Sequence, residues 1–282
     1  MKLSRRSLLQ TGVAAATLAT VALPSFAQAI DELVIAYNVN LPSWDPTVEP
    51  SAVNPTIQGF YQSVFDLYIP QNPDLSFGSG IITGYGWNDD NSAIWMDVRE
   101  GVTWHNGDPL TAEDVVWSLS RVANPETGSP IQFVWGKIEN VVADGNRVTA
   151  DVKEYDPTFF KWMSFLTGYV MPKKYYEEVG AAGFEAAPIG TGPYMVEKFE
   201  RNAFVRLKAN ENYWGGAPEF KSVTIKFVTD AASRVAEVES GNSHVTLEIP
   251  YEEYDRLKAK DGLAGVAEPI SDIGMIFLND IE

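Results

Sequence analysis

The sequence contains no cysteine, so no disulfide can hold its fold together and a packed core must do so. Disulfide frameworks, zinc fingers, iron–sulfur clusters and thiol nucleophiles are thereby excluded. With 45% hydrophobic and 12% aromatic residues, the chain has enough apolar material for a sizeable core. Its 282 residues predict one large domain or two ordinary ones.

The chain is strongly acidic. It has 38 Asp and Glu residues against 21 Lys and Arg residues, which gives a formal net charge of −17 at pH 7. An acidic surface repels phosphate backbones, and no local basic patch interrupts it. We therefore expect no nucleic-acid partner.

The two histidines, His105 and His244, are the chain's only imidazoles. Neither lies in an H-E-x-x-H pattern, and we find no recognisable catalytic motif, so the sequence predicts no metal site, no cofactor and no catalytic residue. His105 lies beside Asn106-Gly107, a strong turn dipeptide. We interpret it as a structural or solvent-exposed histidine rather than a base.

Residues 1–29 have the organisation of a secretory signal peptide, which is absent from the mature protein. Three basic residues come first, an apolar run from Leu8 to Leu23 follows, and Ala27-Gln28-Ala29 offers a cleavage site. A transmembrane anchor is the weaker alternative, because the run is short and contains several polar residues. The order Ser4-Arg5-Arg6-Ser7-Leu8-Leu9 resembles the twin-arginine export signal.

Export and the missing cysteine together predict a location. A bacterial lipoprotein needs a cysteine at its new N-terminus, and the chain has none. We therefore expect an exported, soluble, periplasmic protein without a lipid anchor.

Strand-like and helix-like segments alternate in the first half of the mature chain. Leu33–Tyr37 is a short apolar run typical of a buried strand. Thr56–Tyr68 carries apolar residues at helical spacing. Thr111, followed three residues later by Asp114, predicts a helix N-terminus with a capping box.

Strands predominate from residue 188 onward. Three segments show period-two alternation: Tyr194–Phe199, Phe204–Ala209 and Ser222–Val228. Asp230 predicts a helix N-cap, and His244–Ile249 predicts a further strand. Ile273–Leu278 is a last strand-like run.

The eight tryptophans suit either core packing or stacking on a ligand. We predict core positions for four of them: Trp95, Trp104, Trp117 and Trp162. Trp44 stands in an irregular loop after the first strand, where both alternatives stay open because ligands often lie beyond the carboxyl ends of strands.

Four blocks of the sequence resemble, in order, those of the family 5 extracellular solute-binding proteins. The longest is Arg99–Val115, which reads R-E-G-V-T-W-H-N-G-D-P-L-T-A-E-D-V. Val170-Met171-Pro172-Lys173, Pro188–Tyr194 (P-I-G-T-G-P-Y) and Asn210–Trp214 (N-E-N-Y-W) follow it. Members of this family are the peptide-binding and nickel-binding subunits of ABC importers.

The resemblance implies a periplasmic binding protein-like type II fold, α/β with mixed α+β sheets, whose lobes close on a ligand. Residues 30–55 and 188–268 would form lobe I, and residues 56–187 a small inserted lobe II. Family members are nearly twice as long, so we expect the second large lobe to be missing and residues 269–282 to be its start. With one wall absent, we expect this chain to bind a ligand weakly or not at all.

One position departs from the family pattern. Where the family commonly reads G-E-V-D after a helix, this chain has Gly241-Asn242-Ser243-His244. The acid is replaced by a histidine, so the local chemistry differs.

The function implied by the resemblance is solute capture without chemistry. The ligand would be a short peptide or a similar small polar solute, and the partners would be the membrane permease subunits of an ABC importer. We expect a monomer. Candidate ligand-binding residues follow the first strand of lobe I: Asn38, Val39, Asn40, Leu41 and Trp44.

Two alternatives stay open. Within the family, the ligand is an oligosaccharide or a nickel complex. Outside it, the acidic balance and the tryptophans permit a secreted carbohydrate-active hydrolase, although its paired carboxylates cannot be recognised without geometry.

Overall fold

The structure, a computed structural model, describes residues 30–48, 52, 54–72, 74–164 and 168–266. The predicted signal peptide of residues 1–29, the predicted strand Ile273–Leu278 and the predicted lobe start at residues 269–282 lie outside the described residues. The strands in the described part are β1 (Glu32–Tyr37), β2 (Ile82–Trp87), β3 (Ala93–Val98), β4 (Ile138–Asp144), β5 (Arg147–Val152), β6 (Tyr194–Glu200), β7 (Phe204–Ala209), β8 (Ser222–Phe227) and β9 (Val245–Thr246). The α-helices there are α1 (Gln58–Val64), α2 (Ala112–Ala123), α3 (Gln132–Trp135), α4 (Phe159–Trp162), α5 (Lys173–Ala186), α6 (Ala231–Glu239) and α7 (Tyr251–Lys258).

The strands form two sheets. The first sheet has five strands in the order β6-β7-β8-β1-β9, and β1 runs parallel to both of its neighbours. The second sheet has four antiparallel strands in the order β2-β3-β5-β4. Strand β1 therefore pairs with strands that lie some 190 to 210 residues further along the chain, after all the strands of the second sheet.

Each sheet has its own hydrophobic core. Helix α2 covers the second sheet with Val115, Leu119 and Val122, which are buried and repeat at helical spacing. Helices α1 and α5 contribute Phe60 and Phe184 to the core that contains buried residues of the first sheet. Among the described residues, no helix combines the length and the apolar character needed to cross a membrane.

Local sequence signals explain several element boundaries. The capping box at Thr111 is confirmed, because the Thr111 amide donates to the Asp114 carboxylate at 2.9 Å. The N-cap at Asp230 is confirmed as well, with its carboxylate accepting from the Ser233 amide at 2.8 Å. Strand β7 has the predicted bounds and buries alternate residues.

Two predicted elements are shorter in the structure. The helix predicted over Thr56–Tyr68 ends at Val64, because the backbone turns extended at Phe65 and Leu67 then pairs with Tyr169. The strand predicted over His244–Ile249 is only Val245–Thr246, because Glu248 adopts a positive φ of 51° and leaves the extended region.

The tryptophan predictions meet different outcomes. Trp104 is buried, which confirms its core position, whereas Trp95, Trp117 and Trp162 are only partly buried. Trp44, for which both alternatives were open, has 0% of its surface exposed and packs edge-on against Phe199.

Two glycines in the segment before β6 make a close contact with the end of α1. The Gly192 amide donates to the Val64 carbonyl at 2.9 Å. A Cβ atom on Gly190 would lie 2.0 Å from the same oxygen, and one on Gly192 would lie 2.6 Å from the Val64 carbonyl carbon. Only glycine permits this approach. We call this contact, with His105 and Asp66 beside it, the glycine junction.

His105 ties the turn before α2 to the glycine junction. Its amide donates to the Gly190 carbonyl at 2.9 Å, and its Nδ1 accepts from the Gly190 amide at 3.1 Å. Its Nε2 lies 3.0 Å from the Gly192 carbonyl and must be the protonated nitrogen, since a carbonyl only accepts. The structural alternative predicted for His105 is thus confirmed.

Asp66 ties a third segment to the same place. Its carboxylate accepts from the hydroxyls of Thr191 and Tyr213 at 2.8 and 2.7 Å and from Trp214 Nε1 at 2.7 Å. Burial raises the pKa of this carboxyl although all three bonds oppose the rise. Three of the four recognised sequence blocks therefore meet at the glycine junction.

The close approach predicts the effect of adding one methyl group. Gly190→Ala should lower the free energy of unfolding by about 3 kcal/mol, because the new Cβ displaces the Val64 carbonyl or the Gly190 segment. The control is Gly59→Ala in α1, where the nearest atom to a new Cβ is 3.8 Å away. That change should be neutral or stabilise by up to about 1 kcal/mol. Equal urea midpoints for the two variants would contradict the account.

The environment of His105 predicts a pH dependence of stability. Burial lowers the pKa of His105 to about 4, whereas in the unfolded chain it lies near 6.5. The unfolded chain therefore binds the proton first, and the free energy of unfolding falls as the pH drops from about 6.5 to about 4. Above about pH 7.5 this histidine contributes no pH dependence.

His105→Asn isolates this contribution. Between pH 5 and 6 the wild-type slope should exceed that of the variant by up to about 1.4 kcal/mol per pH unit. Asp66 and Asp114, whose pKa values are raised by burial, act in the opposite sense but are present in both proteins. Urea unfolding at a series of pH values measures the difference, and parallel curves would refute it.

Candidate functional site

The candidate site is the edge of the first sheet at which three parallel strands end. β8, β1 and β9 run in one direction, with Tyr37 opposite Phe227 and Ala36 opposite Thr246. Their carboxyl ends therefore meet at one edge, which is where open α/β sheets bind ligands. We call this edge, formed by residues 38–41, 228–229 and 247–249, the carboxyl edge.

A buried arginine of α6 holds the carboxyl edge together. Arg234 is 4% exposed, and its guanidinium donates to the carbonyls of Val228 and Thr229 after β8 at 3.0 and 2.9 Å. It also donates to the carbonyls of Leu247 and Glu248 after β9 at 3.1 and 2.7 Å. A guanidinium offers five donors in a fixed fork, so one side chain fixes both strand ends.

The side chain of Glu248 lies at the surface of the carboxyl edge. Its carboxylate accepts a hydrogen bond from Asn38 Nδ2, which joins the end of β1 to the end of β9. Tyr37, the last residue of β1, donates through its hydroxyl to the Thr56 carbonyl. Burial, and secondly the negative charge of Glu248, raise the pKa of Tyr37.

The five predicted ligand-binding residues divide between surface and core. Asn38 is partly exposed and Asn40 is exposed, so both offer polar groups at the carboxyl edge. Val39 packs against the core of the first sheet, Leu41 is 1% exposed and Trp44 is fully buried. In the described structure the Trp44 ring has no free face on which a solute could stack. A ligand-binding role for the five residues stays a prediction.

Arg234, which supports the carboxyl edge, and Glu248, which lies in it, were not predicted as site residues from the sequence. The strand pattern ran through Glu248 to Ile249, and the sequence favoured a solvated acidic face for its carboxylate. Arg234 carried one usable signal in the sequence, because it is a cation next to Val235 in a short helix that Asp230 begins. In the structure both Arg234 and Val235 are buried. The Asp230 cap fixes where α6 starts, and so which of its residues face the sheet.

A groove beside β9 opens at the carboxyl edge. It has a volume of about 460 Å³, and its wall includes Glu248 together with apolar side chains of Val245, Leu247, Ile249 and Leu257. Val245 and Leu247 are 39% and 40% exposed. The groove thus combines an apolar wall with an anionic group.

His244, which stands where the family pattern has an acid, has a structural contact. Its Nδ1 accepts from the Val34 amide at 2.9 Å, and its own amide donates to the Val34 carbonyl at 2.8 Å. The imidazole therefore extends the pairing of β1 with β9. In the described part of the chain, no three His, Asp or Glu side chains are grouped to hold a metal ion.

A second cavity, of about 300 Å³, lies between the starts of α2 and α5. Asp114, one of the carboxylates in its wall, already accepts from the amides of Thr111 and Lys173 at 2.9 and 3.0 Å. Both oxygens have donors from the protein, so this carboxylate has little hydrogen-bonding capacity left for a solute.

Arg234→Lys tests the support of the carboxyl edge. Lysine keeps the charge but replaces the planar fork by a point charge, so some of the four carbonyls lose their donor and stability should fall by about 2 kcal/mol. The control is Arg206→Lys in β7, whose exposed pair with Glu197 should contribute less than about 1 kcal/mol. Amide exchange at residues 247–249 should accelerate only in Arg234→Lys; unchanged exchange there would exclude this role for Arg234.

Comparison with known proteins places this geometry in a family. Residues 77–280 match the family described as "Bacterial extracellular solute-binding proteins, family 5 Middle". The chain is 28% identical over 250 residues to the glutathione-binding protein GsiB of Salmonella typhi, covering 86% of this chain and 47% of that protein. It is 26% identical over 271 residues to GsiB of Escherichia coli (strain K12), covering 94% and 51%. The chain thus spans about half the length of these relatives.

Solved structures agree in fold. The binding protein MoaA of A. tumefaciens R10, solved with mannopinic acid, superposes with a TM-score of 0.75 at 25% identity, over 82% of this chain and 48% of that chain. The dipeptide binding protein of Pseudoalteromonas sp. SM9913, solved with Met-Leu, gives 0.74 at 22% identity, over 82% and 50%. The second likeness, at its lower identity, speaks for the fold alone.

The fold expectation, α/β with mixed sheets and of the periplasmic binding protein-like type II, is therefore confirmed. The match over residues 77–280 also confirms the resemblance seen in the sequence blocks, because it contains all four of them. The chain belongs to the bacterial extracellular solute-binding proteins of family 5.

Proposed function

We propose that this chain is a solute-binding component of an ABC importer, which captures a small polar solute and delivers it to membrane permease subunits without chemistry. The observation that carries the proposal is the carboxyl edge of a family 5 chain. Three parallel strands end there, Arg234 joins the ends of β8 and β9, and Asn38 of the β1 end bonds to Glu248. Such a site binds and orients a solute, because main-chain and side-chain polar groups converge beside an apolar groove.

A short peptide or peptide-like solute is the ligand class we propose. The relatives at 26% and 28% identity are named for binding glutathione, which is itself peptide-like. This favours a peptide-like solute over an oligosaccharide or a nickel complex.

We also propose the division into lobes. Residues 30–55 and 188–268 would form lobe I, which is supported by the pairing of β1 with β8 and β9. Residues 56–187 would form the small inserted lobe II, since all four strands of the second sheet fall within them. The remaining proposals are export to the periplasm, guided by the basic and apolar segment of residues 1–29 with its twin-arginine pattern, and a monomeric state.

The experiment is a titration of the full chain, followed by NMR so that weak binding is seen. Glutathione and a mixed dipeptide pool are the probes, and maltotriose is the matched negative control. The expected result is saturable shifts of amides at residues 38–41 and 247–249 with the peptide-like probes and none with maltotriose. The probes should be recovered chemically unchanged.

Three outcomes would contradict the proposal. Shifts only with maltotriose would favour the oligosaccharide alternative. Hydrolysis of maltotriose or another glycoside, lost on substitution of one carboxylate, would favour the hydrolase. Shifts confined to the second sheet would move the site away from the carboxyl edge.

A further inference from the structure

We propose that a hollow between α4 and the segment before β2 is a second binding site, and that it takes a small amphipathic anion: an apolar ring or short chain that carries a carboxylate. The hollow has a volume of about 530 Å³, and its wall includes Leu75, Phe77, Lys161 and Trp162. We call it the Trp162 hollow. The inference goes beyond the proposed function and does not depend on it, because none of these residues belongs to the carboxyl edge.

The first support is that large apolar side chains are exposed at the Trp162 hollow. Leu75 is 72% exposed and Phe77 is 37% exposed. Trp162 is only partly buried, and Phe133, 61% exposed, packs edge-on against its ring with 5.8 Å between the centroids. Such a group of apolar side chains left in water marks a surface that binds an apolar group.

The second support is the backbone that presents Leu75. Its φ of 67° lies in the left-handed region, which leucine rarely adopts. Two main-chain hydrogen bonds hold the turn in this form: the Leu75 amide donates to the Asn72 carbonyl at 2.9 Å, and the Asn72 amide donates to the Ser76 carbonyl at 2.8 Å. A strained conformation persists only where the surroundings impose it, and it occurs most often at functional sites. The turn thereby keeps an apolar side chain in the wall of the hollow.

The third support is the charge of the hollow. Lys161 is exposed, and among the residues that the structure describes it forms no ion pair. The acids of the adjoining segments are engaged elsewhere: Asp156 pairs with Lys137 at 3.1 Å, and the Asp74 carboxylate accepts from the Ser76 amide at 3.0 Å. An unpaired ammonium therefore stands beside the apolar wall.

These features together select the ligand. The volume suits one ring or a chain of a few carbons, and the ammonium of Lys161 forms a charge-assisted hydrogen bond with a carboxylate. Gln71 and Thr158 add neutral polar groups to the wall. The formal charge of −17 repels anions at a distance, but physiological salt screens this repulsion beyond about 8 Å, so the local ammonium decides.

The test compares two probes of nearly equal size that differ in charge: 4-phenylbutyrate and 4-phenylbutyramide. The full chain, labelled with ¹⁵N, is titrated with each at neutral pH. Wild type should bind the carboxylate about fivefold more tightly, because a well-formed exposed ion pair contributes up to about that factor. Amides at residues 75–77 and 161–162 should shift, whereas amides at residues 38–41 and 247–249 should not.

Two variants separate the charge from the apolar wall. Lys161→Gln should bind both probes equally, with the affinity that wild type has for the amide. Leu75→Asn suits the positive φ, so the turn should be kept, and it should weaken both probes about threefold while the preference for the carboxylate survives. The matched control is Lys221→Gln, which removes an exposed lysine before β8 and should leave the wild-type preference unchanged.

Four outcomes would each overturn the inference: equal binding of the two probes by wild type, a preference for the carboxylate that survives in Lys161→Gln, unchanged affinities in Leu75→Asn, or no saturable shifts at residues 75–77 and 161–162. The proposed function would stand in all four cases, because glutathione and the dipeptide pool test it separately at the carboxyl edge.

Discussion

The approach of Gly190 and Gly192 to the carbonyl of Val64 is the contact on which the rest of the structure depends. It leaves no room for a side chain, so the segment before β6 lies directly on the end of α1. His105 then reaches Gly190 and Gly192 from the turn before α2, and Asp66 gathers Thr191, Tyr213 and Trp214. Hydrogen bonds at one place thus connect the helix over the second sheet with the strand that begins the antiparallel part of the first sheet.

The carboxyl edge follows a different physical rule. Its support, Arg234, is buried and satisfied by four carbonyls, whereas its exposed group, Glu248, has no cationic partner among the described residues. A solute site needs both properties, because the polar groups must be held in place before the solute arrives and must still have bonds to offer. At the carboxyl edge Arg234 holds the main-chain carbonyls, while the Glu248 carboxylate accepts from Asn38 and has no cationic partner in the described part of the chain.

Local patterns in the sequence correctly predicted those helix and strand boundaries that local interactions determine. The bounds of β7 follow from alternation, and the starts of α2 and α6 follow from Thr111 and Asp230. The predictions for the end of α1 and for the length of β9 were wrong, because the pairing of Leu67 with Tyr169 and the backbone of Glu248 depend on distant contacts.

The recognised blocks identified the family but did not show what their residues do in the fold. His105 and Gly190 lie in different blocks, 85 positions apart. Neither block shows that the His105 side chain bonds to the main chain of Gly190. The candidate site was predicted only in part. Asn38 lies at the carboxyl edge as expected, but the sequence could not show that Trp44 is enclosed or that Arg234 reaches two strand ends.

Native-state hydrogen exchange of the full chain measures the central claim most directly. If the glycine junction connects the two sheets, the amides of Gly192 and His105 should exchange only by global unfolding. Their opening free energy should then equal that of buried β7 and β5 amides, and Gly190→Ala should lower all of these values together. Two different opening free energies for the two sheets, with junction amides that exchange more easily than both, would contradict the account.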